Sequence, residues 1–128
     1  MNDGNDGGIR TLIVDDAPLM RKLIGRALEE TGVFDVVATV TNGREAVESA
    51  RRLNPMLVVM DLDMPELDGI GATRAIKAMA HPPRVVILTL HADEEHRKAA
   101  LAAGADAFCD KLDFSNAFLP AVMRLFAT

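Results

Sequence analysis

The fold is decided by the stretch MLVVMD, residues Met56 to Asp61. Its five consecutive apolar residues are typical of a strand covered on both faces, which is the environment of a parallel sheet. The run ends on the carboxylate of Asp61, and ligands of open parallel sheets bind beyond the carboxyl ends of the strands. This stretch therefore predicts a buried central strand with a site at its end.

The rest of the chain repeats a strand followed by a helix, five times in all. The predicted strands cover residues 9–14, 33–40, 56–60, 84–88 and 105–110. The first helix stops at Gly32, the second starts at Asn42, the third covers 69–79, the fourth is capped by Asp93 and the last covers about 114–126. The alternation predicts an α/β fold: a five-stranded parallel sheet with helices on both faces.

The last helix has two candidate starting points. A start near Asp113 would put Pro120 beyond the first turn, where proline removes a backbone hydrogen bond and bends the helix. Ser115 and Asn116 are both good caps, and a start there leaves Pro120 close to the tolerated first turn. We favour the later start.

Length and composition indicate one compact domain of 128 residues, in which residues 9–128 fold and the Gly-, Asn- and Asp-rich residues 1–8 form a disordered tail. The net charge of −5 argues against direct binding of nucleic acid. We expect no membrane span and no signal peptide. The single cysteine, Cys109, cannot form an internal disulfide, so we expect a reducing, cytoplasmic setting.

Chemically versatile residues stand at the ends of the predicted strands. The first strand ends at Asp15 and Asp16, the third at Asp61, the fourth at Thr89 and the fifth at Lys111. Three carboxylates at one rim repel one another unless a cation shares the site, and oxygen ligands with retained waters favour Mg²⁺. This set is competent for phosphoryl transfer onto Asp61, with Lys111 and Thr89 holding the phosphoryl oxygens.

The same residues belong to short motifs whose order and spacing are jointly specific. They are Val14-Asp15-Asp16, Met60-Asp61-Leu62-Asp63-Met64-Pro65, Asp68-Gly69, Leu88-Thr89, Gly104-Ala105 and Lys111. In these motifs the chain resembles the receiver domains of bacterial response regulators from about Ile9 to Phe126. The resemblance implies a flavodoxin-like sheet of order 2-1-3-4-5.

The resemblance also implies roles for single residues. Asp16 and Asp61 would bind Mg²⁺ directly together with the backbone carbonyl of Asp63, Asp15 would act through water, and Phe108 would be the aromatic switch residue. Phosphorylation of Asp61 would come from a sensor histidine kinase or a phosphotransfer protein. The domain would catalyse only its own phosphorylation and dephosphorylation.

Two positions depart from the commonest receiver pattern, since Leu90 follows Thr89 and Leu112 follows Lys111 in place of a small residue and a proline. Both resemble NarL-type receivers, which usually precede a helix-turn-helix domain. Without proline, we expect a trans Lys111–Leu112 peptide. Signals would pass to an output domain or protein through the fourth helix, fifth strand and last helix, and a homodimer stays open.

Other interpretations are open at this point. The chain could be a pseudo-receiver, a binding module that works without phosphorylation. Asp61-Leu62-Asp63 also matches the Asp-x-Asp motif of haloacid-dehalogenase-like phosphatases, although that motif usually follows the first strand. The basic residues Arg21, Lys22 and Arg26 could dock a phosphodonor or form a plain solvated face.

Overall fold

The computed structural model describes residues 8–127, so residues 1–7 of the predicted disordered tail (residues 1–8) lie outside the described part. The strands are β1 (Ile9–Val14), β2 (Phe34–Val40), β3 (Leu57–Met60), β4 (Arg84–Thr89) and β5 (Ala107–Asp110). The helices are α1 (Pro18–Glu30), α2 (Gly43–Leu53), α3 (Gly69–Lys77), α4 (Glu94–Ala102) and α5 (Phe114–Leu125). Within the described residues, every helix is too short or too polar to cross a bilayer.

The five strands form one parallel sheet in the order β2-β1-β3-β4-β5, which confirms the predicted fold. All four residues of β3 are completely buried between β1 and β4. Strand order reverses between β1 and β3, where Val14 pairs with Met60. The loops after these strands diverge at that point, which leaves a crevice at the carboxyl rim.

The sheet carries apolar layers on both faces because successive strand residues point to opposite sides. Leu12 and Val58 pack on the layer that contains residues of α2, α3 and α4. Ile13 and Val59 pack on the layer formed with α1 and α5, where Phe118 is the largest fully buried side chain. One apolar residue of the deciding stretch lies outside the core, since Met56 precedes β3 and is 47% exposed.

Side chains cap the starts of three helices, and the sequence predicts two of these starts, at Asn42 and at Asp93. Asn42 accepts the Glu45 N–H at 2.8 Å, Asp68 accepts the Gly71 N–H at 2.8 Å and Asp93 accepts the His96 N–H at 2.9 Å. These bonds satisfy backbone donors that a helix leaves free in its first turn. The loops after β2, β3 and β4 are thereby held close to the rim.

The start of α5 differs from the favoured prediction. The Asp110 carboxylate accepts the Leu112 N–H at 2.9 Å and begins a 3-10 turn over Lys111–Asp113 that continues directly into α5 at Phe114. Stacking of Phe114 on Phe118, with ring centroids 5.0 Å apart, holds this early first turn. The expectation of a start at Ser115 or Asn116 was therefore wrong, and Pro120 lies inside the helix.

A partly buried ion network joins α3, β4 and the loop before β5. The Asp106 carboxylate accepts the Val85 N–H at 2.8 Å and the Lys77 ammonium at 2.9 Å, and Arg84 lies 3.5 Å away. The backbone N–H of Asp106 also donates to Val85 O at 2.8 Å. Asp106 thus extends the pairing of β5 with β4 by one residue through its side chain.

Candidate functional site

Asp61 follows β3 directly and lies at the floor of the crevice, 7% exposed. Its backbone N–H donates to Val14 O at 3.1 Å, which ties it to β1. One carboxylate oxygen, Oδ1, accepts the Leu62 N–H at 2.7 Å. The other oxygen, Oδ2, faces the Lys111 ammonium. The side chain is therefore held by its own loop on one side and by a cation on the other.

Two further carboxylates meet Asp61 at this rim. Asp15 is 1% exposed and its Oδ1 accepts the Ala17 N–H at 2.9 Å, whereas Asp16 is exposed at the mouth. One oxygen from each of the three carboxylates lies within 4.8 Å of the others. The structure thus brings together the three aspartates that the strand ends predict to meet.

Lys111 lies between the two buried carboxylates, with its Nζ 2.9 Å from Asp15 Oδ2 and 3.1 Å from Asp61 Oδ2. Its side chain is only 9% exposed. Burial alone lowers the pKa of Lys111, but the close contact with Asp15 and the negative charge of Asp61 outweigh burial, so the pKa lies above its ordinary value. The ammonium is charged and held beside the Asp61 carboxylate.

Thr89 ends β4 and is fully buried beside the crevice. Its hydroxyl oxygen accepts the backbone N–H of His91 at 3.0 Å. The side chain is therefore tied to its own loop, and a movement of Thr89 toward Asp61 would give up this bond.

Sequence reasoning missed a link across the mouth of the crevice. The His91 ring Nδ1 contacts the Asp63 carboxylate and so joins the loop after β4 to the loop after β3. His91 also stacks on His96, with ring centroids 5.3 Å apart. No strand-end pattern could have found this pair, because both residues lie in loops. The carboxylate of Asp63 points to His91, and its backbone carbonyl remains the predicted metal ligand.

The loop after β3 is held by close backbone contacts. A Cβ built on Gly69 would lie 2.2 Å from Asp61 O, and one on Gly43 would lie 1.9 Å from Leu67 O. Leu67 N–H donates to Pro65 O at 2.9 Å across Glu66, whose φ of 72° is a left-handed conformation. The starts of α2 and α3 thus lie close against the loop that carries Asp61.

The donor set fits a hard divalent cation. Asp15 Oδ2 is buried next to the Lys111 ammonium, yet within residues 8–127 it accepts no hydrogen bond of good geometry. Two buried carboxylates and one exposed carboxylate face a single ammonium, which leaves the rim with excess negative charge. Mg²⁺ takes oxygen ligands and keeps several waters, as an open rim of this kind allows.

Comparison with protein families gives one model that covers most of the chain. Residues 11–121 match the model described as "Response regulator receiver domain". Among relatives, a protein-glutamate methylesterase/protein-glutamine glutaminase from a Nocardioides strain is 38% identical over 106 residues, which are 81% of this chain and 29% of that protein. The chain therefore spans less than a third of the length of this relative.

Solved structures agree with the family model. The receiver domain of NarL from Mycobacterium tuberculosis superposes with a TM-score of 0.86 at 29% identity and covers 92% of this chain and 95% of that one. The response regulator domain of CheB from Thermotoga maritima has a TM-score of 0.80 at 33% identity, over 93% of this chain and 92% of that one.

Proposed function

Because the chain belongs to the response regulator receiver domain family, we propose that it accepts a phosphoryl group on Asp61 and transmits the change through its surface. One observation carries the assignment of residues. The buried Asp61 carboxylate lies 3.1 Å from the Lys111 ammonium and within 4.8 Å of Asp15 and Asp16. This proximity supports Asp61 as the nucleophile, Lys111 as a fixed cation and the three carboxylates as the metal cradle.

The contacts of Asp61 support separate tasks for its two oxygens. Oδ1 accepts the Leu62 N–H and Oδ2 lies beside the Lys111 ammonium, so Oδ2 is the proposed nucleophile because the cation there can stabilise the charge of the transferred group. A P–O bond to Oδ2 forms while the bond from phosphorus to the donor's leaving group breaks. Lys111, which already lies beside Oδ2, would hold one phosphoryl oxygen, and the Thr89 hydroxyl would hold another. Most of the catalysis is therefore positioning and charge stabilisation.

The metal cradle is proposed to consist of Asp16, Asp61 and the backbone carbonyl of Asp63, with Asp15 acting through water. Bound Mg²⁺ would neutralise charge on the phosphoryl oxygens during transfer. The buried and imperfectly satisfied Asp15 Oδ2 supports a cation in this place.

The switch is proposed to run through Thr89 and α4. When Thr89 turns to the phosphoryl group, it releases the His91 N–H and frees the loop that leads into α4. Within α4, Ala100 is the one buried residue, so little apolar area holds this helix in place. The fourth helix, β5 and α5 would then present the changed surface to an output domain or protein.

The phosphodonor is proposed to be a sensor histidine kinase or a histidine phosphotransfer protein, whose phosphohistidine would supply the phosphoryl group. The buried free thiol of Cys109 is compatible with the reducing, cytoplasmic setting that such a pathway would have. The chain would be no enzyme beyond its own phosphorylation and dephosphorylation.

Phosphorylation by a small donor tests the assignment directly. The chain is incubated with acetyl phosphate and Mg²⁺, and acid-labile phosphate is measured by intact mass spectrometry. We expect one phosphoryl group per chain, lost in Asp61→Asn. Glu48→Gln, which removes an exposed carboxylate on α2, is the matched control and should be phosphorylated like the wild type.

The same experiment separates the alternatives. A chain that binds Mg²⁺ but takes no phosphoryl group from acetyl phosphate or from a phosphorylated histidine protein would be a pseudo-receiver. Sustained turnover of p-nitrophenyl phosphate would indicate a phosphatase. The chain has neither Trp nor Tyr, so Mg²⁺ binding is measured by calorimetry. Asp16→Asn should abolish both Mg²⁺ binding and phosphorylation, and retention of both would overturn the metal assignment.

A further inference from the structure

The side of α1 that faces β2 is open and carries a groove of about 520 Å³. Gly25 lies at the middle of this groove, and Val36 and Thr39 of β2 form its opposite wall. The strand β2 stands at the edge of the sheet and is paired on one side only, with β1. The groove lies on α1 and β2, away from Asp61 and Lys111.

Gly25 has no evident role inside the folded chain. A Cβ added there would meet only the Ile13 Cδ1 atom at 3.7 Å, which is an ordinary contact. Glycine in the interior of a helix is destabilising because the chain loses more conformational freedom. The missing side chain leaves room for a partner to approach this side of the helix closely.

The charges on the same face are divided along the helix. Arg21, Lys22 and Arg26 occupy the first part, and Glu29 and Glu30 occupy the end. Within residues 8–127, none of these five side chains forms an ion pair. Arg21 and Lys22 thus form a positive end before Gly25, Arg26 follows Gly25 directly, and Glu29 and Glu30 form a negative end.

We propose that this face binds a second copy of the same chain, with the two α1 helices antiparallel about a two-fold axis beside Gly25. That arrangement places Arg21 opposite Glu30 of the second copy and Lys22 opposite Glu29. Arg26 then lies over the partner's Gly25, where no side chain stands in its way. A surface that is complementary to itself under a two-fold rotation is what an isologous dimer requires.

The charge pattern favours a second copy over other occupants. A uniformly acidic partner would pair with the basic residues but would be repelled by Glu29 and Glu30. A partner that approaches along the whole groove needs both signs in the opposite order, and the antiparallel copy of α1 supplies them. Arg21 also donates from its guanidinium to the backbone oxygen of Asp15 at 2.8 Å, so the positive end of this face adjoins the loop after β1.

Charge reversal at one contact pair tests the proposal by sedimentation velocity. The wild type should show a concentration-dependent dimer between about 10 µM and about 1 mM at low salt, weakened by 0.5 M salt. Lys22→Glu and Glu29→Lys each turn two symmetric attractions into repulsions and should each weaken the dimer about tenfold or more. Both side chains are exposed, so circular dichroism should show an unchanged fold.

The decisive test is whether exchanging both charges restores the dimer. The double variant Lys22→Glu/Glu29→Lys exchanges the charges and should restore the dimer to within about threefold of the wild type. A mixture of the two single variants should form a heterodimer, because both contacts between positions 22 and 29 are again attractive. A wild type that stays monomeric, or single variants without rescue, would overturn the proposal. Reduced phosphotransfer from a histidine protein with unchanged sedimentation would also overturn it, since it would make this face a donor-docking surface.

Discussion

Replacing Gly69 with alanine should lower the stability of the fold and displace Asp61, the proposed phosphoacceptor. Gly69 begins α3, and its N–H donates to Leu62 O at 2.8 Å. The added Cβ would lie 2.2 Å from Asp61 O and 2.8 Å from the Leu62 Cα. Because ordinary contacts of this kind begin near 3.4 Å, the start of α3 would have to move away from Asp61 by about 1 Å.

The size of the effect follows from three contributions. Loss of the Gly69 N–H hydrogen bond costs about 1 kcal/mol. Forcing a methyl group against rigid backbone costs about 1–3 kcal/mol. Alanine recovers up to about 1 kcal/mol of helix propensity, and less in the first turn. We therefore expect the free energy of unfolding to fall by about 2–3 kcal/mol.

Two other helical glycines provide matched controls. A Cβ on Gly71 would meet the end of the flexible Leu67 side chain at 2.8 Å, so Gly71→Ala should be nearly neutral. Gly25→Ala has ordinary contacts and should stabilise the chain by about 0.5–1 kcal/mol. Urea unfolding followed by circular dichroism at 222 nm measures all three, because the chain lacks Trp and Tyr.

The functional result should follow the same order. A displacement of about 1 Å at Asp61 should slow phosphorylation by acetyl phosphate at least about tenfold in Gly69→Ala. Gly25→Ala and Gly71→Ala should keep the wild-type rate. A Gly69→Ala variant that is as stable and as reactive as Gly71→Ala would show that the close approach of α3 to Asp61 is not needed.

Three further predictions concern parts of the chain outside the site. Burial raises the pKa of the Cys109 thiol, so iodoacetamide should label this thiol only when the chain unfolds. The contribution of the Cys109 side chain to stability, measured against Cys109→Ala, should be lost as pH rises above about 8.5, because the thiol ionises first in the unfolded chain. Asp106→Ala should cost about 2–3 kcal/mol in urea unfolding, since Val85 and Lys77 lose their acceptor, and Asp106→Asn should cost less. Glu66→Gly should be more stable than Glu66→Ala by about 1 kcal/mol, because the φ of 72° favours glycine; equal stability would argue against strain in this loop.

The positions of residues at strand ends could be predicted because the topology of a parallel sheet determines them. In a parallel sheet the residues after β1, β3 and β5 must meet at one rim, so Asp15, Asp61 and Lys111 could be placed together before any distance was known. Their roles in phosphoryl transfer stay predictions, because proximity alone does not establish reactivity.

The start of α5 and the contact between Asp63 and His91 depend on local side-chain interactions that the sequence pattern does not show. Ser115 and Asn116 are good caps by residue type. The Asp110 carboxylate, however, accepts the Leu112 N–H, and helical turns therefore begin at Lys111, before Ser115 is reached. Asp63 and His91 meet across two loops whose conformations depend on the packed core and not on apolar periodicity. Such contacts appear only when side-chain distances are known.

Lys111 reaches the site from the loop after β5, the strand that is last in the chain and at the edge of the sheet. Until β5 pairs with β4, Asp15 and Asp61 have no ammonium between them, and their mutual repulsion opposes the burial of both. A nascent or truncated chain that ends before β5 would therefore have an unstable and unreactive rim. Phosphate incorporation into Asp61 would accordingly report that synthesis and folding have reached the final strand.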